Sequence, residues 1–355
     1  MTEPTPAAPA ACPPELHYVS DDDPGFSRRR RGRGFSYHDT SGRLIRSDAR
    51  RRKLDQLAIP PAWKDVWISP SANGHILATG RDQRGRKQYI YHPAWIEERE
   101  RAKFDRVLAF GRVLQDIREA VDRDLRRRTL VKPRVVATVV NLLETTLIRV
   151  GNEEYARSNR SYGLTTLKNR HVDIDGDRLR FHFKGKSGRE VDLDLRDRRL
   201  AHTVRDIQEL PGQQIFQYLD DDGSRQTVTS NDVNDYLRAV TGDDFTAKDF
   251  RTWAATVLAA WALNEFAEFD SDVAAKRNIT RAIKTVARKL GNTPTVCRES
   301  YVHPEVLNAY LDGTLVQVLR DRIEQELITE LPRLQPEEAA VLAFLRKRLS
   351  GIDTG

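Results

Sequence analysis

Five side chains in the C-terminal part of the chain have the chemical types that a phosphoryl transfer needs. They are Arg149, Lys186, Arg251, Asn292 and Tyr301, and the tyrosine follows the asparagine by nine positions. A phenol can attack phosphorus, a guanidinium can grip two phosphate oxygens, and a lysine can protonate a leaving oxygen. An asparagine amide can donate a hydrogen bond to a non-bridging oxygen. Together these residues form a candidate active site.

Phosphoryl transfer also requires positive charge beside the phosphate, which many enzymes obtain from Mg²⁺ held by clustered carboxylates. The sequence shows no convincing cluster of that kind. The run Lys184-Gly185-Lys186-Ser187 is partly like a nucleotide-binding loop, but it lacks the upstream glycine and lies in a strand turn. We therefore expect the charge to come from side chains, with no metal and no cofactor.

Each arginine also has a structural interpretation. Arg149 is predicted in the last turn of an apolar helix, where a cation complements the helix dipole. Arg251 is predicted near the start of a helix, where a cation gains nothing from the dipole. Its partner could be Asp249 or Asp270. From these residues alone, both interpretations stay open.

The other three side chains have alternatives too. Lys186, at the tip of a predicted hairpin, could enter a DNA groove or be a solvated turn lysine. Asn292 follows Gly291 and could cap a helix end. Tyr301 is one of ten tyrosines, and its ordinary pKa near 10 means that nearby cations must help to form the phenolate. Tyr155, in Asn-Glu-Glu-Tyr, is the main rival as nucleophile.

The elements that must position these residues divide the chain into three parts. Residues 1–34 are rich in Pro, Ala, Asp and Arg without periodicity, so they are predicted to be a disordered basic tail. Residues 35–97 are predicted to form a small β-rich N-terminal domain, and residues 98–355 a mainly α-helical catalytic domain. Short alternating segments separated by Asn, Gly and Asp predict strands in the first domain at 65–69, 75–81 and 88–92.

Helical spacing dominates the second domain. Helices are predicted at 104–128, 135–150, 230–240, 249–269, 273–290, 304–312 and 336–349. Between 171 and 195 the period changes to two, with turns at Asp175-Gly176 and Gly185–Gly188. This pattern predicts a three-stranded antiparallel meander. The fold class is therefore α+β, a small β-rich domain followed by a mostly α-helical domain with one small sheet.

Composition limits the class of protein. The net charge is +7 with a pI near 9.4, and arginine is concentrated in 27–53 and 123–134. Such clusters suit phosphate contacts, although a solvated tail or helix face would look the same. No apolar stretch is long enough for a membrane span, and the N-terminus lacks a secretion signal. Cys12 and Cys297 are too few for a disulfide framework or a zinc site, which favours a reduced, cytoplasmic protein.

The motifs around the five residues, taken in order, carry a resemblance. They are Leu-Ile-Arg-Val-Gly-Asn, Phe-Lys-Gly-Lys-Ser-Gly, Lys-Asp-Phe-Arg-Thr-Trp, Leu-Gly-Asn-Thr-Pro-Thr and Arg-Glu-Ser-Tyr-Val-His-Pro. The chain resembles the type IB DNA topoisomerases from about residue 57 to beyond Tyr301, and most closely the small poxvirus-like bacterial members. The segments Ile-Pro-Pro-Ala-Trp, Asn-Gly-His-Ile and Gly-Arg-Lys-Gln-Tyr in the first domain match as well.

The resemblance implies a mechanism that needs neither ATP nor metal. Tyr301 would form a 3′-phosphotyrosyl link, the duplex would rotate to relax supercoils, and the free 5′-hydroxyl would reseal the strand. Arg149 and Arg251 would stabilise the transition state, and Lys186 would protonate the leaving oxygen. Asn292 would orient the phosphate in place of the histidine of poxviral enzymes and most tyrosine recombinases. Its contribution should not follow an imidazole titration, since an amide does not titrate.

The resemblance also implies the partner, duplex DNA clamped between the two domains of a monomer in the bacterial nucleoid, with no membrane involved. It makes Lys248 an accessory catalytic lysine and assigns no role to His303. Further residues are expected to contact DNA: Tyr155, Arg84, Arg86, Lys87 and Lys168.

Two other functions stay open. A tyrosine recombinase would use the same chemistry, but it needs a tetramer and specific sites. More than fifty residues follow Tyr301, so a short exchanged C-terminal helix is not evident. A non-catalytic architectural DNA-binding protein would keep its function without Tyr301.

Overall fold

The computed structural model describes residues 12–32, 34–266, 269–320 and 333–350. The chain divides into two units, with the boundary between Asp105 and Arg106. An N-terminal β-sheet unit precedes a mostly helical unit with small antiparallel sheets, so the predicted α+β class is confirmed. In the described ranges, no helix combines the length and apolar character that a membrane crossing requires.

The first unit is built on a five-stranded antiparallel sheet with the strand order β2-β1-β3-β4-β5. Its elements are β1 Phe26–Arg31, β2 Gly34–His38, α1 Asp48–Gln56, β3 Lys64–Ile68, β4 Ile76–Arg81 and β5 Lys87–Tyr91. The side chain of Ser47 caps α1 by accepting the N–H of Arg50. One apolar core joins the sheet to α1, with the members Tyr37, Ile45, Leu54, Ile59, Val66, Ile68 and Ala78.

The predicted disordered tail is wrong where it overlaps the sheet. Residues 1–11 and residue 33 of that segment lie outside the described residues, but Phe26–Arg31 form β1. The three strands predicted from alternation are confirmed within one residue at each end as β3, β4 and β5.

Arg28 shows why an arginine run can form a strand. Its side chain is only 9% exposed and donates to the carbonyl oxygens of Ile59 at 2.7 Å and Pro60 at 2.8 Å. The guanidinium also lies 4.1 Å from the centroid of the Phe35 ring. The run of arginines predicts a solvated segment. In the folded unit, however, carbonyl oxygens and an aromatic ring bind Arg28, and the segment forms a strand.

Helices account for most of the second unit, and the first of them begins in the first unit. They are α2 Pro93–Leu125, α3 Lys132–Thr146, α4 Glu153–Asn159, α5 Arg198–Gln208, α6 Ser230–Thr241, α7 Ala247–Asn264, α8 Asp272–Leu290, α9 Pro294–Ser300, α10 Pro304–Leu311, α11 Thr314–Arg320 and α12 Pro336–Ser350. The sequence patterns did not predict α4, α5, α9 or α11. The predicted domain boundary at 97/98 falls inside α2, as the structural boundary does.

The predicted meander is confirmed as β6 Val172–Asp175, β7 Arg178–Lys184 and β8 Glu190–Arg196, in the order β6-β7-β8. Leu179, Phe181 and Phe183 of β7 all point to the core and are buried. A further short hairpin, β9 Gln217–Leu219 with β10 Arg225–Thr227, was not predicted.

Helix α3 ends earlier than its sequence pattern predicts. Leu147 adopts the left-handed conformation with φ 57°, and its N–H donates to Leu143 O at 3.1 Å. The Thr146 hydroxyl then accepts the N–H of Ile148 at 3.2 Å, which closes the end of the helix. Arg149 thus lies in the segment after α3, so the helix-dipole interpretation of this arginine is wrong.

Candidate active site

Three of the sequence-predicted residues meet at the turn that ends α8. Gly291 ends the helix in the left-handed conformation, with φ 62°. The carbonyl oxygen of Leu290 is then available to accept hydrogen bonds from side chains. Arg251, from the first turns of α7, donates to Leu290 O at 2.7 Å and also to Leu147 O. Arg149 donates to the side-chain oxygen of Asn292. Residues from three separate segments of the chain are thereby joined in one cluster.

The partners of these two arginines are neutral oxygens. In the part of the chain that the structure describes, neither Arg149 nor Arg251 has a carboxylate partner, so the proposed pairing of Arg251 with Asp249 or Asp270 is wrong. Carbonyl oxygens at a helix C-terminus carry partial negative charge and satisfy N–H groups without cancelling a full positive charge. Burial lowers the pKa of both guanidinium groups, because it removes water from the charged form. A buried positive site of this kind is suited to an anion.

Two N–H donors in the cluster are buried without a hydrogen-bond partner. They are Nδ2 of Asn292 and Nε of Arg251, in residues that are 8% and 4% exposed. A guanidinium has no acceptor, so the Asn292 oxygen must face Arg149 and the amide N–H₂ is left over. A buried unsatisfied polar group costs about 1–3 kcal/mol, and such a group asks for an explanation. Oxygens of a bound phosphate would supply the missing acceptors.

Tyr301 lies beside this cluster, at the end of α9. The guanidinium carbon of Arg251 is 5.4 Å from the centroid of the Tyr301 ring. The tyrosine N–H donates to Cys297 O at 3.0 Å, and its carbonyl accepts the hydroxyl of Thr256 at 3.3 Å. Thr256 and Arg251 are both on α7, so one helix holds the backbone of the tyrosine and presents the neighbouring cation.

Lys186 approaches from the tip of the β7–β8 hairpin. The turn is tight, since Ser187 and Gly188 have positive φ values of 63° and 73° and Gly185 N–H donates to Arg189 O at 2.7 Å. The lysine is exposed and lines a cleft of about 500 Å³ together with both arginines of the cluster. Other polar side chains that line this cleft include Tyr162, the cations Arg189, Arg288 and Lys289, and the carboxylates Glu190 and Asp192.

The sequence patterns missed Arg189, which ends the hairpin turn. Its Nη1 donates to the backbone oxygen of Asn292 at 3.0 Å, across 103 positions of sequence. A signal was present, because Gly-Lys-Ser-Gly-Arg places a second cation at the other end of the turn that carries Lys186.

Lys248 lies on α7, three positions before Arg251. It is exposed in the first turn of α7 and is not among the residues that line the cleft. Its accessory catalytic role stays a prediction.

Of the two DNA-contact candidates of the second unit, Lys168 lines a separate basic cleft and Tyr155 is not among its lining residues. Tyr155 is 57% exposed on α4. Lys168 donates to the side-chain oxygen of Gln213 at 3.0 Å and lines a cleft of about 610 Å³. The other polar residues of that cleft are Glu153, Arg157, Arg160, Tyr162, Thr166, Gln214 and Gln217. Tyr162 lines both clefts, which links the basic surface to the cluster.

The candidates of the first unit lie at the β4–β5 turn and are held by aspartates. Arg84 is exposed in this turn. Arg86 pairs with Asp82 at 2.7 Å, and Lys87 pairs with Asp21 at 2.7 Å. The hydrogen bond that Lys87 donates to Asp21 raises the pKa of the lysine.

No group of three or more His, Cys, Asp or Glu side chains that could hold a metal ion occurs in residues 12–32, 34–266, 269–320 and 333–350.

Comparison with known proteins gives a consistent result. Residues 92–326 match the family described as eukaryotic DNA topoisomerase I, catalytic core, and residues 34–82 match bacterial DNA topoisomerase IB, N-terminal domain. The chain is 34% identical over 295 residues to DNA topoisomerase 1B of Acanthamoeba polyphaga mimivirus, covering 81% of this chain and 87% of the viral protein. It is 23% identical over 285 residues to DNA topoisomerase 1B of Vaccinia virus (strain Copenhagen), covering 78% and 87%.

Proposed function

The chain belongs to the type IB DNA topoisomerases, enzymes that act on duplex DNA, and we propose that it relaxes supercoils through a transient 3′-phosphotyrosyl bond without ATP or metal. The observation that carries this proposal is the cluster at the end of α8. Its arginines keep their full charge against carbonyl partners, and two buried N–H donors lack acceptors. A phosphodiester placed there would meet both needs.

Tyr301 is the nucleophile in this proposal. A bond forms between its phenolic oxygen and phosphorus as the bond between phosphorus and O5′ breaks. The phenolic proton passes to solvent, and Lys186 supplies a proton to O5′, so that the leaving group departs as a hydroxyl. Arg251, beside the ring, favours the negative charge that develops on the phenolic oxygen.

Arg149, Arg251 and Asn292 stabilise the charge that accumulates on the non-bridging oxygens. Their hydrogen bonds to Leu147, Leu290 and one another hold them in place before DNA binds, so little reorganisation is needed during the reaction. The Nδ2 of Asn292 donates to one of these oxygens without titrating, which makes its contribution independent of pH in the range where a histidine would change charge.

The covalent link conserves the energy of the broken bond. The 5′-hydroxyl can therefore attack the phosphotyrosine and restore the strand after rotation, with no nucleotide consumed. One copy of the chain binds duplex DNA, the first unit through Arg84, Arg86 and Lys87. The second unit contributes Tyr155 and Lys168, with Lys248 acting beside the phosphate.

The decisive experiment is relaxation of supercoiled plasmid in EDTA without ATP. Wild type should relax the plasmid, and Tyr301→Phe should bind it but leave it supercoiled. Tyr218→Phe, which alters a tyrosine on the short β9 strand, is the matched control and should relax normally. Denaturation during the reaction should trap protein on a 3′ end in wild type and in the control only.

Relaxation by Tyr301→Phe, or a trapped link to another residue, would contradict the assignment of the nucleophile. If wild type binds DNA firmly but never relaxes it, a site-specific recombinase or an architectural protein becomes the better description.

A further inference from the structure

The turn at the end of α8 is held by three guanidinium groups, of which the mechanism above uses two. Arg251 donates to Leu290 O and Arg149 to the Asn292 side chain. The third is Arg189, which donates to the Asn292 backbone oxygen at 3.0 Å. Unlike the other two, Arg189 comes from the hairpin that carries Lys186.

This contact joins two parts of the reaction site. Within the described chain, the bond from Arg189 to Asn292 is the one hydrogen bond that links Gly185–Arg189 to another element. The residue before the turn, Lys184, accepts the N–H of Tyr162 at 2.8 Å, so Arg189 fixes the other side of the turn. The turn itself is stiff, since Gly185 N–H donates to Arg189 O and Gly188 N–H donates to Gly185 O at 3.1 Å. A displacement of Arg189 would therefore also move Lys186, at the other end of the turn.

We propose that Arg189 is a positioning residue that sets the place of the Lys186 ammonium relative to the phosphate. It does so by tying the hairpin to the segment that carries Asn292, the donor to the non-bridging oxygen. The inference rests on the proposed function. An exposed turn lysine without this tie would sample many positions, and a misplacement of about 1 Å can cost about 100-fold in rate.

The leaving group provides a test that separates positioning of the acid from other roles. A duplex oligonucleotide with sulfur in place of the bridging O5′ needs no acid, because a thiolate is a far weaker base than an alkoxide. Single-turnover cleavage at saturating enzyme would be measured on the oxygen and the sulfur substrate. The cleavage rate of Lys186→Ala should fall by about 100- to 10,000-fold on the oxygen substrate and by far less on the sulfur substrate.

The cleavage rate of Arg189→Ala should fall by about 10- to 100-fold on the oxygen substrate and stay close to the wild-type rate on the sulfur substrate. Arg178→Ala is the matched control, since Arg178 is an exposed arginine at the far end of the same hairpin, paired with Asp194. It should cleave both substrates as wild type does.

Equal losses of Arg189→Ala on both substrates would overturn the inference in favour of a general structural role or direct stabilisation of the phosphate. No loss on either substrate would overturn it as well. If the cleavage rate of Lys186→Ala also fell equally on the two substrates, Lys186 would not be the general acid. Arg189 would then have no acid to position. Failure of wild type to cleave either substrate would instead refute the proposed function itself.

Discussion

Two sets of cations that were predicted to contact DNA, one in each unit, are held in opposite ways. In the first unit Arg86 and Lys87 are exposed, with 61% and 42% of their side chains accessible, and each pairs with an aspartate. In the second unit Arg251 is 4% exposed, and it and Arg149 are held by carbonyl and amide oxygens. Both sets were predicted to meet the same ligand, the phosphates of DNA.

The difference separates affinity from rate. An exposed cation can exchange an aspartate for a phosphate at little cost, and its contribution to binding falls as salt is added. A buried guanidinium without a carboxylate partner keeps a positive charge that an incoming anion can neutralise. Because this charge is already in place before the reaction, it can stabilise the transition state without reorganisation. We therefore expect the first unit to govern binding and the α8 turn to govern cleavage.

A third set of cations shows that basic residues alone do not identify a site. Five members of the second basic cluster are paired with aspartates: Arg123, Arg126, Arg127, Lys132 and Arg134. Arg134 is even buried, at 6% exposure, with Asp206 as its partner. Carbonyl partners alone do not distinguish the α8 turn either, because they also hold the buried Arg28 of the first unit. The α8 turn combines such arginines with buried donors that lack an acceptor, on Asn292 and Arg251.

The largest effect should follow from giving the buried cluster the carboxylate that it lacks. Asn292→Asp keeps the size of the side chain but pairs Arg149 with a negative charge and removes the Nδ2 donor. Cleavage should slow by about 1,000-fold or more, measured as the single-turnover rate of covalent complex formation. Asn292→Ala, which only removes the donor, should be less severe. Equal rates for the two variants would mean that the missing carboxylate is unimportant.

A pair of neutral substitutions tests the division between rate and affinity. Arg251→Gln should slow cleavage at saturating DNA by about 100- to 1,000-fold, with little change in the salt dependence of binding. Lys87→Gln should do the reverse, lowering the slope of log K against log salt by about 1.

Arg251 donates hydrogen bonds to two backbone carbonyl oxygens, so its substitution could destabilise the fold. Thermal unfolding should therefore be recorded for both variants. The comparison fails if Arg251→Gln weakens binding as much as it slows cleavage.

A smaller effect is expected at the anchor of the nucleophile. Thr256→Val removes a hydroxyl that is shared between Thr252 O at 2.8 Å and Tyr301 O at 3.3 Å and that accepts the N–H of His303 at 3.2 Å. Cleavage should slow by about 10-fold, since the tyrosine backbone loses its tie to the helix of Arg251. Thr256→Ser, which retains the hydroxyl, should cleave nearly as wild type. A normal rate in the valine variant would remove this tie from the mechanism.

The smallest effect concerns the aspartate that pairs with Lys87. Asp21→Asn keeps an acceptor for the Thr79 hydroxyl, now 2.9 Å away, but releases the lysine. DNA should bind a few-fold more tightly because Lys87 no longer has to leave Asp21, while the salt slope should change little, since the same single phosphate contact forms. In the Lys87→Gln background the same substitution should change nothing, which a double-mutant cycle of dissociation constants would measure. An equal gain in both backgrounds would show that Asp21 acts elsewhere.

Much of the fold was predictable because local patterns agreed with tertiary structure. Strands β7 and β8 alternate, and helices such as α6, α8 and α10 have apolar faces bounded by caps or glycine. Errors arose where distant groups decided the outcome. Arg28 of β1 donates to carbonyl oxygens more than thirty positions away. Helix α3 ends at Leu147 in the left-handed conformation, where the sequence has no glycine to signal the end.

The sequence by itself determined the chemical inventory: a phenol, a hairpin lysine, two arginines and an amide, in an order that resembles the type IB topoisomerases. Only the tertiary structure decided how those cations are held, and it added Arg189. The reason is physical. Side-chain type and local spacing set what a residue can donate, but the charge it retains depends on which oxygens the fold places beside it. Here those oxygens are carbonyls and an amide gathered from Leu147, Leu290 and Asn292.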